Sequence, residues 1–214
     1  KQAEIVFLAL PHGVAAEFAV PLIEQGCTVI DLSADFRLRD AAVYKEFYAH
    51  DHPAPALLAK AVYGLPEVYR DAIRRAALIA SPGCYPTSIL LPVIPLLRAG
   101  LVRPHGIIAD SLSGVSGAGR KAELDYLFVE CNESVRPYGA AYENEPFVRL
   151  LEGKALPDTK NVVGTNVLEI AWRLDPRTGR LIVMSAEDNI VKGASGQALQ
   201  SMNIHCGFPE TAGL

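Results

Sequence analysis

The sequence predicts an α/β protein in which a parallel-sheet domain is joined to an α+β domain with a mixed or antiparallel sheet. Two observations support this fold class. The first part of the chain alternates short apolar runs with helix-like segments, which is typical of βαβ units. Near the end, two strand-like segments, 166–175 and 180–189, flank the turn residues 176–179, which indicates an antiparallel hairpin.

The first half of the chain supplies the predicted parallel strands. The continuous apolar run 5–10 predicts a strand that is buried on both faces. Residues 14–25 have apolar side chains at helical spacing and are followed by Gly26, so they predict a helix. The remaining segments are two further strands and a mixed region with short helices, at 28–33, 77–81 and 35–75.

The second half predicts a helix over 87–99, a strand over 106–111 and a helix over 121–130. A loop rich in glycine and serine, 113–119, separates the last two of these. An amphipathic helix over 192–203 follows the hairpin.

Composition and charge exclude several classes of protein. With 214 residues, 50% of them hydrophobic, the chain can bury a sizeable core and is not disordered. The net charge of −4, without a basic stripe, argues against nucleic acid and anionic membranes as partners. No apolar run reaches the roughly 18–20 residues that span a bilayer. The four cysteines are sparse and lack CxxC spacing, which predicts free thiols, a reducing cytoplasmic compartment and no structural metal site.

The segment 81–87, with the sequence SPGCYPT, has the strongest signal for chemistry. A strand ends there, Gly83 permits a tight turn, and Cys84 lies just before a helix. Unpaired backbone N–H groups and the positive end of the helix dipole favour the nucleophilic thiolate, and could also hold an oxyanion or a phosphate. We therefore expect Cys84 to be functional. The other three cysteines are expected to be buried and inert: Cys27, Cys131 and Cys206.

Several weaker candidates have equally ordinary structural explanations. The loop Ser113–Arg120 could approach a phosphate closely, although plain glycine-rich loops are commoner. His12 and Gly13 follow the first strand, where open α/β sheets bind ligands, but His12 could also be a polar loop residue. Arg37 could pair with a substrate carboxylate or with a neighbouring aspartate. Asn189 is explained as well by a polar strand end.

Six motifs occur in a fixed order along almost the whole chain: VFLALPHG (6–13), VIDLSADFRL (29–38), AVYGLPE (61–67), PGCYPT (82–87), SGVSGAGR (113–120) and DNIVKGASGQ (188–197). Together they resemble the N-acetyl-γ-glutamyl-phosphate reductases, which are relatives of aspartate-semialdehyde dehydrogenase. The resemblance implies a Rossmann-type NADP-binding domain over 1–83, incomplete at its N-terminus. It further implies a catalytic and oligomerisation domain over 84–187, and a C-terminal helix region, 188–214, that returns to the nucleotide domain.

The same resemblance implies a reaction, the NADPH-dependent reduction of an acyl phosphate to an aldehyde in arginine biosynthesis. Cys84 matches the nucleophile of the family, whose thiolate displaces phosphate to give a thioester. The implied NADP(H) contacts are His12, Gly13, Ser113, Gly114, Ser116, Gly117 and Asn189. The implied partners are a small acyl-phosphate substrate and further copies of the chain in a homodimer or homotetramer.

The chain departs from the family pattern at two places. A glycine-rich first βα turn, which would hold the cofactor pyrophosphate, is not found before residue 5. The motif that supplies an acid/base histidine is not found after Tyr138, where 139–142 marks an apparent gap. We expect these parts to belong to a longer enzyme. Two alternatives stay open, a cysteine acyl-transfer hydrolase on the same scaffold and a catalytically inactive binding or assembly module.

Overall fold

The computed structural model describes residues 3–113 and 137–214. The chain divides into two compact units, one formed by Lys1–Gly83 with Gln197–Leu214 and the other by Cys84–Gly196. The functional roles that the resemblance assigns to these regions stay predictions.

A four-stranded parallel sheet forms the first unit, which confirms the predicted parallel sheet. Its strands are β1 (Ile5–Leu8), β2 (Thr28–Asp31), β3 (Val62–Tyr63) and β4 (Leu78–Ala80), in the order β1-β2-β4-β3. Phe7 pairs with Ile30, and Ile30 with Ile79. Within the described residues β1 has a neighbour on one side only, and Phe7 is 43% exposed. The prediction of burial on both faces was therefore wrong for this strand.

Helices cover the sheet of the first unit. They are α1 (Ala15–Glu24), α2 (Ala41–Tyr48), α3 (Pro55–Leu58) and α4 (Pro66–Ile73). The small residues Ala15, Ala16 and Ala19 are fully buried and belong to the same core cluster as Val29 and Leu78. Small side chains on one helix face allow this close packing, since bulk there would push the helix away from the strands.

The last helix of the chain differs from the predicted amphipathic helix over 192–203. A π-helical turn, Val191–Ser195, precedes α8 (Gly196–Cys206). The helix buries polar as well as apolar side chains, and hydrogen bonds offset the cost of burying Gln200 and Asn203. Gln200 donates to Oε1 of Glu67 at 3.0 Å, and Asn203 donates to the carbonyl of Ala212 at 2.9 Å.

A three-stranded mixed sheet forms the centre of the second unit. Its strands are β5 (Val148–Leu150), β6 (Leu168–Asp175) and β7 (Arg180–Glu187), in that spatial order. The short helix α7 (Thr159–Val162) lies between β5 and β6 in the chain. Strand β5 is parallel to β6, whereas β6 and β7 are antiparallel and pair Trp172 with Val183. The predicted hairpin is confirmed. Its turn closes on Gly179, whose φ of +67° lies in the left-handed region that glycine tolerates.

Two prolines interrupt the hydrogen bonding of α5 (Cys84–Arg98), and hydroxyl groups from other elements replace the lost donors. A proline has no N–H, so Pro92 and Pro95 release the carbonyls four residues earlier. Ser185 on β7 donates to the released carbonyl of Ser88 at 2.8 Å. Tyr142, at the end of α6 (Pro137–Tyr142), donates to that of Leu91. These two hydroxyls therefore tie α5 to its neighbours.

Two predictions about residues 106–130 have different outcomes. The strand predicted over 106–111 was wrong, because the described residues there have no strand partner and Ile108 is 91% exposed. Apolar residues alone do not make a strand when no neighbour pairs with their backbone. The helix predicted over 121–130 lies outside the described residues. No helix in the described parts is both long and apolar enough to cross a membrane.

Candidate active site

Cys84 is the first residue of α5, three residues earlier than the predicted start of this helix. Its side chain is partly exposed. The N–H groups in the first turn of a helix have no partner within the helix. Pro86 has no N–H, so Cys84 and Tyr85 supply the backbone donors at this end of α5. A carbonyl oxygen that becomes negatively charged beside Cys84 would thus face backbone donors and the positive end of the helix dipole.

The turn before Cys84 requires a glycine for two reasons. Gly83 has a φ of +86°, which L side chains rarely adopt. A Cβ at this position would also lie 3.1 Å from the guanidinium of Arg37.

Arg37 contacts main-chain oxygens rather than a carboxylate. Its Nε–H donates to the carbonyl of Ser81 at 2.8 Å, and its Nη2 donates to the carbonyl of Leu32 at 3.0 Å. These contacts differ from the expected salt bridge to an aspartate, whereas a contact with a substrate carboxylate stays a prediction. Arg37 instead joins the segments that follow β2 and β4, and so fixes the turn at Gly83.

A hydrogen-bond network of acidic residues orders the loop after β2. Asp31 is fully buried and accepts from the N–H and the hydroxyl of Ser33, at 3.0 and 2.8 Å. Burial raises the pKa of Asp31, and the bonds from Ser33 oppose that shift. Asp35 accepts from the N–H groups of Gly13 at 2.7 Å and Ala16 at 3.0 Å. It therefore caps α1, where Val14 has no side chain able to do so.

His12 and Gly13 lie in this same loop cluster at the carboxyl end of β1. The N–H of Gly13 is already bonded to Asp35, so a ligand would meet its other atoms. The Nδ1 atom of His12 accepts from the N–H of Ala34 at 3.0 Å, which places the proton of the neutral ring on Nε2. The ring is exposed, so His12 offers an N–H donor at the surface.

The buried residues Tyr44 and His52 complete the cluster and were not singled out by the sequence analysis. Tyr44 donates to Asp35 Oδ1 at 3.1 Å. Nδ1 of His52 accepts from the N–H of Ala54, so its Nε2–H donates to the carbonyl of Asp35 at 2.8 Å. Burial lowers the pKa of His52, because the charged ring would lose its hydration, and the hydrogen bond to the carbonyl of Asp35 opposes that shift. The segment HDH (50–52) in a mixed region was the available signal.

The second unit brings two predicted cofactor contacts together. Nδ2 of Asn189 lies 3.4 Å from Oγ of Ser113, although 75 residues separate them in the sequence. The other predicted contacts of that loop, Gly114, Ser116 and Gly117, lie outside the described residues.

The remaining cysteines differ in exposure. Cys27 is buried, as expected, whereas Cys206 is exposed, so the expectation of burial was wrong for that residue. Cys131 lies outside the described residues. The three described cysteines are unbridged, and no group of three or more potential metal ligands occurs in residues 3–113 and 137–214.

Comparisons with known proteins match both units. A family model described as the NAD-binding domain of semialdehyde dehydrogenases matches residues 1–76. The model described as the dimerisation domain of the same enzymes matches residues 84–141 and 138–189. Aspartate semialdehyde dehydrogenase II from Vibrio cholerae shares the fold at 16% identity, with a TM-score of 0.64 over 96% of this chain and 80% of that structure.

Curated relatives are much closer in sequence. The N-acetyl-gamma-glutamyl-phosphate reductase of Akkermansia muciniphila is 49% identical over 271 residues, covering 99% of this chain and 78% of the relative. That of Moorella thermoacetica is 43% identical over 272 residues, covering 100% of this chain and 79% of the relative. Because 271 exceeds the 214 residues of the chain, at least 57 positions of the first alignment have no residue here. The chain belongs to the semialdehyde dehydrogenase family of nicotinamide-dependent oxidoreductases, in its N-acetyl-gamma-glutamyl-phosphate reductase branch.

Proposed function

We propose that this chain reduces N-acetyl-γ-glutamyl phosphate to N-acetylglutamate semialdehyde, with NADPH as the reductant and Cys84 as the nucleophile. One observation supports the assignment of Cys84 above the others. It is a partly exposed thiol on the first residue of a 15-residue helix, directly after a turn that only glycine fits. A thiol in that position has the backbone donors and the helix dipole that nucleophilic cysteines use.

The covalent step belongs to Cys84. Its thiolate attacks the acyl carbon of the substrate, the bond from that carbon to the phosphate oxygen breaks, and inorganic phosphate leaves with its electron pair. The product is a thioester on Cys84. During the attack, the negative charge on the acyl oxygen faces the first-turn N–H groups of α5.

The described residues fit a nicotinamide cofactor at the carboxyl end of the parallel sheet, where open α/β sheets bind dinucleotides. His12 presents an exposed N–H donor there. The hydroxyl of Ser81, at the end of β4, is buried without a hydrogen-bond partner among the described residues. We propose that His12, Gly13, Ser113, Gly114, Ser116, Gly117 and Asn189 contact the cofactor. When bound, NADPH supplies the hydride that reduces the thioester carbon.

The product oxygen must receive a proton, and none of the residues assigned a role above donates it. The dimerisation-domain match is split at 138–141, where the sequence shows its apparent gap. We propose that the acid/base histidine lies in the internal segment that the relatives have and this chain lacks. Acid–base catalysis contributes about 10²–10⁴-fold to a rate, so turnover by these 214 residues alone should be correspondingly slow.

The proposal extends to assembly and compartment. The match to a dimerisation domain supports oligomerisation, and we propose a homodimer or homotetramer. The unbridged thiols of Cys27, Cys84 and Cys206 support a reducing compartment, and we propose the cytoplasm.

The test is the reverse reaction, the phosphate-dependent reduction of NADP⁺ by N-acetylglutamate semialdehyde, followed by absorbance. Cys84→Ser should abolish it, because a serine hydroxyl is a far weaker nucleophile at neutral pH. Cys206→Ser is the matched control and should keep the wild-type rate, since Cys206 is exposed at the end of α8. Activity that survives Cys84→Ser would refute the proposal. Thioester hydrolysis that is indifferent to NADPH would instead support an acyl-transfer hydrolase.

A further inference from the structure

We propose that Gly193 is a positioning residue for Cys84. A side chain at residue 193 would occupy the space of the nucleophile, so the glycine sets how far Cys84 can move. This inference rests on the proposed function, since it assigns to Gly193 a role in the chemistry of Cys84.

The contact between the two residues is unusually close. A Cβ placed on Gly193 would lie 2.6 Å from the Cβ and 3.0 Å from the Cα of Cys84. On its other side it would lie 3.0 Å from Oε1 of Glu187. The φ of Gly193 is not in the left-handed region, so backbone conformation does not require glycine here. Space alone requires it.

The segment that holds Gly193 is firmly fixed. The N–H of Gly193 donates to the carbonyl of Asp188 at 2.9 Å. Ser195 donates from both its N–H and its hydroxyl to the carbonyl of Ile190, each at 2.8 Å. The first of these bonds spans five residues and defines the π-helical turn, a feature that is often found at functional sites.

Two side chains anchor the same turn. Lys192 is fully buried, with Nζ 5.7 Å from the centre of the Phe147 ring. The carboxylate of Asp188 accepts from the N–H groups of Ile190 at 2.8 Å and Val191 at 3.0 Å. Because these contacts hold the turn in place, it limits the movement of Cys84, which packs against it.

The position of this turn matters because the same segment includes Asn189, a proposed nicotinamide contact. Three residues separate Asn189 from Gly193, and the hydrogen bond from the N–H of Gly193 to the carbonyl of Asp188 restrains their spacing. Gly193 therefore helps to set the position of Cys84, the proposed nucleophile, relative to Asn189, the proposed cofactor contact. A bulkier residue would change that relation without removing any reacting group.

Gly193→Ala is the test variant. To restore an ordinary contact of 3.4–4 Å from 2.6 Å, Cys84 or the turn must move by roughly 1 Å. A misplacement of that size costs about 100-fold in rate. We expect kcat to fall about 100-fold while the KM values for semialdehyde and NADP⁺ change less than about threefold, because no binding group is lost.

A matched control adds the same methyl group elsewhere. Gly139 on α6 has no heavy atom within 4 Å of its Cβ position, so Gly139→Ala should keep kcat within about twofold. The alkylation of Cys84 by iodoacetamide gives a readout that does not depend on turnover. Its rate at one fixed pH should change in Gly193→Ala and not in Gly139→Ala, because only the first substitution displaces the thiol.

The outcomes separate this inference from the proposed function. A folded Gly193→Ala variant with wild-type kcat and an unchanged alkylation rate would overturn the inference and leave the proposed function intact. Loss of activity in Gly193→Ala together with full activity in Cys84→Ser would overturn the proposed function. If Gly193→Ala does not fold, Asp188→Ala removes the acceptor of the Ile190 and Val191 N–H groups, loosens the same turn and should lower kcat several-fold at unchanged KM. An unchanged kcat in that variant would overturn the inference.

Discussion

The hydroxyl of Tyr142 should stabilise the helix of Cys84 because Pro95 leaves a carbonyl without its helical donor. Leu91, whose carbonyl is released, is fully buried, and Tyr142 is 4% exposed. Tyr142→Phe removes only the donor. A buried acceptor left without a partner costs about 1–3 kcal/mol, so the free energy of unfolding should fall by that amount. For a chain of this size each kcal/mol corresponds to a fall of roughly 2–4 °C in Tm.

A double-mutant cycle in urea tests this reasoning. In a Pro95→Ala background the alanine N–H can donate to the carbonyl of Leu91, so Tyr142→Phe should cost about 1 kcal/mol less than in the wild type. Tyr69→Phe is the control, since Tyr69 is 38% exposed, and should change stability by less than about 0.5 kcal/mol. An equal cost of Tyr142→Phe in both backgrounds would refute the idea that the tyrosine replaces the lost proline donor.

Three further predictions concern the first unit and the hairpin. Because the pKa of His52 is lowered in the folded chain, the unfolded chain binds more protons near pH 6. The free energy of unfolding should be at its maximum above about pH 6.5 and should fall as the pH drops through the folded pKa of His52. Urea midpoints measured at pH 7.5 and 5.5 test this, and the difference between the two midpoints should be smaller in His52→Asn. Arg37→Met should lower the free energy of unfolding by about 1–3 kcal/mol, because the carbonyls of Ser81 and Leu32 lose their donors, and an unchanged Tm would contradict this. Gly179→Val should destabilise the hairpin by about 1 kcal/mol or more, since a β-branched residue at a φ of +67° is strained, and a wild-type thermal unfolding curve would disprove it.

Much of the fold followed from local patterns in the sequence. Turn residues 176–179 between two strand-like runs predicted the hairpin, because such turns depend on residues within a few positions of one another. The position of Cys84 followed from a strand end, a glycine and a first-turn proline in seven residues. The strand–helix alternation of the first unit was equally local.

The features that were missed depend on partners distant in sequence. Ile107 and Ile108 have the composition of a strand, but a strand requires a neighbour that their local sequence does not reveal. A salt bridge to a neighbouring aspartate was one expectation for Arg37, and instead it donates to a carbonyl 44 residues away. The residues of the π-helical turn at 191–195 have ordinary helical spacing in the sequence, and that spacing does not reveal the five-residue hydrogen bond from Ser195 to Ile190 that defines the turn.

The most direct test of the central claim is the mass of the intact protein after mixing with N-acetyl-γ-glutamyl phosphate in the absence of NADPH. Without hydride the thioester cannot be reduced, so the account predicts one added N-acetylglutamyl group, mapped by peptide digestion to the peptide that contains Cys84 and absent from Cys84→Ser. An unchanged mass, or an adduct that persists in Cys84→Ser, would contradict the assignment of Cys84 as the nucleophile.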